Sequence, residues 1–194
     1  MSKASVLSHE WLSPGILLLQ CDIPWNASLI DMIKKDEYKR DYKVIHSNTN
    51  TKWHKRSGVD YHITYLDQSN PFHLHYDKKI AQIFTESLAI YNQPFKAPGC
   101  IINKDYGYNI LHYITGGDYP WHFDGYGSNT EVVGGMNLNS NFEGGIFEFN
   151  QFPIKITPKT GQLLLFPSGV TYEHRSTRIV SGDKFVLRAR LGIK

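Results

Sequence analysis

Tyr108-Asn-Ile-Leu-His-Tyr-Ile-Thr-Gly-Gly-Asp-Tyr-Pro-Trp-His-Phe-Asp124 reads as two β-type runs joined by a tight turn. Tyr108 to Ile114 and Trp121 to Asp124 are rich in aromatic and β-branched residues, and Gly116-Gly117 supplies the turn. Alternate side chains of a strand share a face, so His122 and Asp124 project together while Phe123 turns away. An imidazole and a carboxylate on one face are two members of the facial triad that binds non-haem iron(II) and leaves coordination positions open. The His-x-Asp pattern alone is weak, since such pairs arise by chance.

Outward from this stretch the same texture continues. Val132 to Leu138, Ile146 to Phe149, Gln162 to Phe166, Thr171 to His174 and Lys184 to Leu191 are short strand-like runs separated by glycine, asparagine and proline. Upstream, Gly15 to Cys21 is an apolar run with the length of a buried strand. A helix is expected from a Ser28 N-cap through Leu29, Ile30, Met32 and Ile33 towards Arg40. A second follows Asp77 as its cap, because Ile80, Ile83, Phe84, Leu88 and Tyr91 recur on one helical face. The polar stretch from Ser47 to Asp77 reads as a long loop or hairpin. Helices first and many short strands afterwards predict an α+β domain whose C-terminal part is a β-sandwich or jelly roll.

With 194 residues, the chain suits a single domain over residues 1–194, with N-terminal strands, helices and loops over 1–107 and the jelly-roll core over 108–194. The net charge of +3 comes from scattered lysines and arginines, so composition carries no strong nucleic-acid signal. Cys21 and Cys100 cannot form a disulfide framework and neither lies in a CxxC pair. With no signal-peptide pattern and no membrane-length apolar run, a cytoplasmic protein is expected, in the host cytoplasm if the gene is viral. Gly116-Gly117 and Gly144-Gly145 lack the helix and lysine of a phosphate loop, and His73-Leu-His75 lacks a carboxylate partner.

Five pieces in order resemble one family. His112 to Asp124 resembles the first metal motif of the prolyl 4-hydroxylase branch of the 2-oxoglutarate oxygenases. Asn137-Leu-Asn139, then Phe142-Glu-Gly-Gly-Ile-Phe-Glu-Phe149, is similar to its strand, turn and Gly-Gly strand. Ile156 to Pro167 is similar to its Pro-x-x-Gly-x-x-x-x-Phe-Pro signature, and His174 followed by Gly182-Asp-Lys-Phe185 to its distal histidine and Gly-x-Lys-aromatic. The resemblance implies a double-stranded β-helix with supporting N-terminal helices, and iron(II) held by His122, Asp124 and His174. It further implies 2-oxoglutarate and dioxygen as co-substrates, with ascorbate as an additional cofactor. A 2-oxoglutarate that chelates the metal leaves its far carboxylate in the barrel, where an unpaired charge is costly. Lys184 is the cation expected to meet it.

By the same resemblance Tyr113 corresponds to a tyrosine that contacts the co-substrate, with a core aromatic as the alternative. Asn137 stands where some relatives carry a second such tyrosine. Arg190, on the Lys184 face of its strand with Arg188, replaces a frequent tryptophan and is either a second co-substrate contact, as in AlkB-type demethylases, or solvated. For Arg188 the solvated reading is preferred. The expected reaction is C–H hydroxylation of a peptide or protein substrate, foremost peptidyl proline, with succinate and carbon dioxide as co-products. An AlkB-like nucleic-acid demethylase, a non-catalytic jelly-roll binding protein and, last, a zinc hydrolase are the alternatives. Substrate choice is expected in loops, at Trp53, His54, Arg56 and Tyr61 and between Gly125 and Glu131.

Overall fold

Leucine-rich runs with a period of two define the sheet that carries everything else. In Gln162–Pro167 (β11), Leu163 and Leu165 face one side while Leu164 and Phe166 face the other, and all four are buried. In Lys184–Gly192 (β14), Phe185, Leu187, Ala189 and Leu191 join the first side, leaving Lys184, Val186 and Arg188 on the second. Both faces of these strands are therefore covered, one by helices and one by a second sheet.

The computed structural model describes residues 5–35, 43–44, 61–65, 71–125 and 129–194. The remaining strands, in chain order, are β1 Val6–Ser13, β2 Ile16–Cys21, β3 Lys43–Val44, β4 Tyr61–Tyr65, β5 Lys104–Tyr113, β6 Tyr119–His122 and β7 Val132–Asn137. They are followed by β8 Glu143–Gly144, β9 Phe147–Phe149, β10 Lys155–Ile156, β12 His174–Ser176 and β13 Ile179–Ser181. The eight-stranded sheet runs β1-β2-β11-β7-β14-β5-β4-β3, the four-stranded sheet runs β10-β9-β12-β6, and β13 pairs with β8. N-terminal strands thus flank both edges of a sheet whose centre is C-terminal. Two antiparallel sheets closing over one interior make the double-stranded β-helix, a jelly roll with supporting helices.

Helix α1 (Asn26–Lys34) buries Leu29, Met32 and Ile33, and α2 (Pro71–Tyr91) buries Ile80, Ile83, Phe84 and Tyr91 against the outer face of the larger sheet. Each such side chain contributes about 1.5–3 kcal/mol by leaving water. Close approach of α2 depends on Gly134 of β7, where an added Cβ would lie 2.5 Å from the Phe84 ring.

Several local expectations need correction. Ser28 lies inside α1 and its hydroxyl donates to the Trp25 carbonyl, while the helix stops at Lys34, with Lys35 extended. Asp77 does not cap α2, because the helix starts six residues earlier at Pro71, whose fixed φ suits a first turn. The stretch read as a long loop or hairpin therefore holds β4, antiparallel to β3, and the first turns of α2. Within α2, His73 is buried and His75 exposed, so the two imidazoles diverge around the helix and form no metal pair. Val170–Tyr172 is a 3-10 turn, and the strand begins only at His174. Among the described residues no helix is long and apolar enough to cross a membrane. Trp53, His54 and Arg56 lie outside the described residues, as do residues 126–128 of the loop after Asp124.

Candidate active site

Strands β6 and β12 of the smaller sheet are antiparallel neighbours, and their register sets His174 directly opposite His122. Opposed side chains of such a pair share a face. Both imidazoles point into the interior, with ring centroids 4.2 Å apart. Asp124 follows two residues after His122 in a bend beyond the strand, held by Gly125, whose N–H donates to the Ser168 carbonyl at 2.9 Å. Ligand atoms of His122, Asp124 and His174 all lie within 4.8 Å of one another, the one such cluster of three or more among the described residues.

The donor set fits a divalent metal. Nδ1 of His122 faces the Pro120 carbonyl at 2.8 Å and Nδ1 of His174 the Tyr172 carbonyl at 2.9 Å. A carbonyl only accepts, so each ring carries its proton on Nδ1 and presents a bare Nε2 lone pair to the interior. Those Nε2 atoms stand 3.9 and 3.5 Å from the Asp124 carboxylate, too far for hydrogen bonds. His174 is only 4% exposed, and burial pushes its imidazole below the usual histidine range despite the opposing pull of Asp124. Neutral imidazole is the form a metal requires.

Aromatic rings fix His174 in place. Phe147 stacks on it at 5.0 Å and Phe166 meets it edge-on at 4.8 Å, while Tyr119 packs on His122 at 4.0 Å. On the outer face of the same sheet, Lys155, Glu148, Arg175 and Trp121 form a row across all four strands. Glu148 accepts from Arg175 at 2.7 Å and pairs with Lys155 at 3.1 Å, and the Arg175 guanidinium lies 4.7 Å from the Trp121 ring. Those hydrogen bonds hold the Glu148 carboxyl below the ordinary glutamate range.

The trio opens into a cavity of about 500 Å³ whose far wall is β14, with Lys184, Val186 and Arg188. Lys184 is 3% exposed. Its ammonium donates to the Gly145 carbonyl at 2.8 Å and to the Ser176 hydroxyl at 3.0 Å. An ammonium has three donors, so one remains for a ligand. Burial draws its pKa from 10.5 down to about 7. Gly145 lies at φ 62, and a Cβ there would meet Ile179 at 2.7 Å and the Lys184 stem at 3.1 Å. Glycine at this site thus keeps the lysine in position.

Tyr113 pairs in register with Lys184, is buried and lines the cavity, its ring 5.7 Å from the lysine nitrogen. Asn137 lines a second cavity of about 420 Å³ that shares the Lys184 and Phe147 walls with the first. Arg190 is exposed and lines neither cavity, whereas Arg188, two residues earlier, lines the first. The preferred expectation of a solvated Arg188 therefore gives way to a half-buried residue at the site. Sequence reasoning also missed Ser176 and Gly145. The Gly144-Gly145 doublet was the available signal for the latter, but only tertiary structure brings its carbonyl to Lys184.

A family model described as the 2OG-Fe(II) oxygenase superfamily matches residues 108–189. No curated protein matches the chain in sequence. Among solved structures, viral collagen prolyl hydroxylase from Paramecium Bursaria Chlorella virus-1, in its 2OG complex, is 17% identical with a TM-score of 0.65 over 93% of this chain and 97% of that one. A Pseudomonas putida prolyl-4-hydroxylase is 16% identical with a TM-score of 0.67 over 93% of each chain. A Trichoplax adhaerens prolyl hydroxylase, in complex with a hypoxia inducible factor oxygen degradation domain peptide fragment, is 15% identical with a TM-score of 0.71 over 92% and 84%. At these identities the likeness is one of fold.

The matched residues carry the ligand trio and Lys184, and the fold is the one these prolyl hydroxylases have.

Proposed function

We propose that His122, Asp124 and His174 hold iron(II), that Lys184 binds the far carboxylate of 2-oxoglutarate, and that the enzyme hydroxylates a C–H bond of a peptide, foremost at proline. The observation that carries this is one interior lined by three converging metal-ligand atoms and by a buried lysine with a donor to spare.

When bound, iron(II) with 2-oxoglutarate and dioxygen supplies an oxidant able to replace an unactivated C–H by C–OH, releasing succinate and carbon dioxide. The chain's own residues bind, orient and exclude water. Pro120 and Tyr172 carbonyls hold the imidazole tautomers, the phenylalanine collar keeps His174 dry, and Ser176 with Gly145 aims the Lys184 ammonium. Tyr113 forms the wall beside that ammonium, where it contacts the co-substrate. Asn137 borders the adjoining cavity and lies one wall away. For Arg190, exposed and lining neither cavity, the solvated reading is the one supported. The peptide assignment is supported by the fold shared with prolyl hydroxylases, one of them in complex with a peptide fragment. Its test is incubation of the iron- and 2-oxoglutarate-loaded protein with a panel of proline-containing peptides. Gain of one oxygen atom in a proline-bearing fragment, read by mass spectrometry, is expected. Succinate formation without oxygen gain in any peptide would overturn the substrate assignment and leave the site assignment standing.

A further inference from the structure

Arg188 has no counterpart in the roles assigned above. It lies on the cavity face of β14 with Lys184 and Val186. Its Nε is sealed from solvent and meets no acceptor, and among the described residues no carboxylate pairs with its guanidinium. A guanidinium cannot shed its charge in a protein, and a cation lodged in a cavity without a counter-charge is destabilising.

Asn109 of β5 is the register partner of Arg188, so the two side chains share the cavity face of the sheet. Asn109 is 6% exposed and its Oδ1 is likewise without a partner. Among the described residues, the Nε–H of Arg188 and the Oδ1 of its register neighbour Asn109 have no hydrogen-bond partner.

Exposure along this face of β14 rises from buried Lys184 through half-buried Val186 and Arg188 to exposed Arg190. The cavity therefore opens at the Arg188 end, and Lys184 lies at the closed end. Four residues of extended chain separate the two cations, about 13 Å at roughly 3.3 Å each. Arg188 lines the same cavity as His122, Asp124 and His174, and it stands nearer the open end than Lys184 does. Gly135, its register partner on β7, has only Val186 near its missing Cβ, at 3.9 Å, and leaves room there.

We infer that Arg188, with Asn109 beside it, recognises a carboxylate on the primary substrate, so that the molecule oxidised is anionic close to its reacting carbon. Arginine's planar donor fork suits a carboxylate, and the Asn109 amide suits the N–H that accompanies one in an amino-acid unit. The carboxylate belongs either to an acidic side chain within a peptide or to a C-terminal residue. This inference rests on the proposed site, in which Lys184 already serves 2-oxoglutarate.

The test uses full-length protein loaded with zinc(II), a redox-silent stand-in for iron(II), and 2-oxoglutarate. Saturation-transfer NMR then compares matched pairs: N-acetyl-aspartate amide against N-acetyl-asparagine amide for the side-chain source, and acetyl-proline against acetyl-prolinamide for the C-terminal source. At least one carboxylate is expected to bind about tenfold or more tightly than its amide. That preference should fall below about threefold in Arg188→Gln and survive in part in Arg188→Lys, which keeps the charge. Equal binding within both pairs, or a preference untouched by Arg188→Gln, would overturn the inference. So would a tenfold or greater loss of 2-oxoglutarate affinity in Arg188→Gln, which would make Arg188 a co-substrate residue. Failure of the unaltered protein to load metal or 2-oxoglutarate would strike the site reading itself, whereas normal loading without carboxylate preference strikes only this step.

Discussion

Replacing Lys184 with methionine should separate binding from stability, because the lysine is costly to the fold and, in the proposed function, is the partner of the ligand's far carboxylate. Its ammonium is 3% exposed, and burial lowers its pKa from 10.5 to about 7. At roughly 1.4 kcal/mol per pH unit, carrying that charge in the folded state costs on the order of 4 kcal/mol near neutral pH. Methionine removes this cost but withdraws the ammonium from the Gly145 carbonyl and the Ser176 hydroxyl, leaving them only a long 3.5 Å contact with each other. Each such loss is worth about 1–3 kcal/mol, so the terms nearly cancel. Tm should move by no more than about 8 °C in either direction, given roughly 2–4 °C per kcal/mol at this size. The ligand has no such compensation. Leaving a buried carboxylate unpaired costs about 2–5 kcal/mol, so the dissociation constant for 2-oxoglutarate should rise from about 30-fold to beyond 10³-fold. Differential scanning fluorimetry reads the first quantity and anaerobic calorimetric titration of 2-oxoglutarate the second. Unchanged affinity in a folded Lys184→Met protein would refute the assignment of Lys184.

The same lysine sets a pH dependence. Without ligand it is protonated below about 7, and the carboxylate needs it protonated, so 2-oxoglutarate affinity should be flat below that pH and weaken by about tenfold per unit above it; Lys184→Met should lack this slope. Stability of the ligand-free protein moves the other way: between about 7 and 10.5 the unfolded chain holds the proton that the folded one has lost, so this group makes the fold more stable as pH rises. Gly145→Ala would force a Cβ into Ile179 and the Lys184 stem, and should weaken 2-oxoglutarate binding by at least about tenfold, checked by the same titration. Glu148→Gln removes the partner of Arg175 behind the histidine strands and should cost on the order of 1–3 kcal/mol in chemical denaturation. Because Arg175 lowers the Glu148 pKa, that stabilisation should be fully present above the ordinary glutamate range and disappear as pH falls through the depressed value.

Residues whose role is local were legible in the chain. The two-residue spacing of His122 and Asp124 was visible but weak alone, and the ordered family motifs around it, ending in Gly182-Asp-Lys184 after His174, singled out these residues. The strand-like texture of Gln162 to Phe166 and Lys184 to Leu191 likewise marked two strands of the larger sheet. What escaped was set by tertiary placement. Arg188 and Arg190 have the same parity on one strand, and nothing in the chain tells which stays in the cavity and which passes the rim. Ser176 reaches Lys184 from β12 and the Gly145 carbonyl from the link between β8 and β9, across 8 and 39 residues of chain. The start of α2 was hidden because His73, His75 and Tyr76 read as polar loop, although His73 is buried in the helix. In that segment packing outweighed the weak signal of composition.

The claim on which the rest depends is that three side chains from β6, the bend after it and β12 form one metal site facing the co-substrate lysine. Anaerobic titration of iron(II) with 2-oxoglutarate, followed by the charge-transfer absorption of the chelate, tests it most directly. A band saturating at one iron per chain is expected in the unaltered protein, with none in folded His174→Ala or Asp124→Ala. A band of full intensity in either variant, or no band in the unaltered protein, would contradict the account.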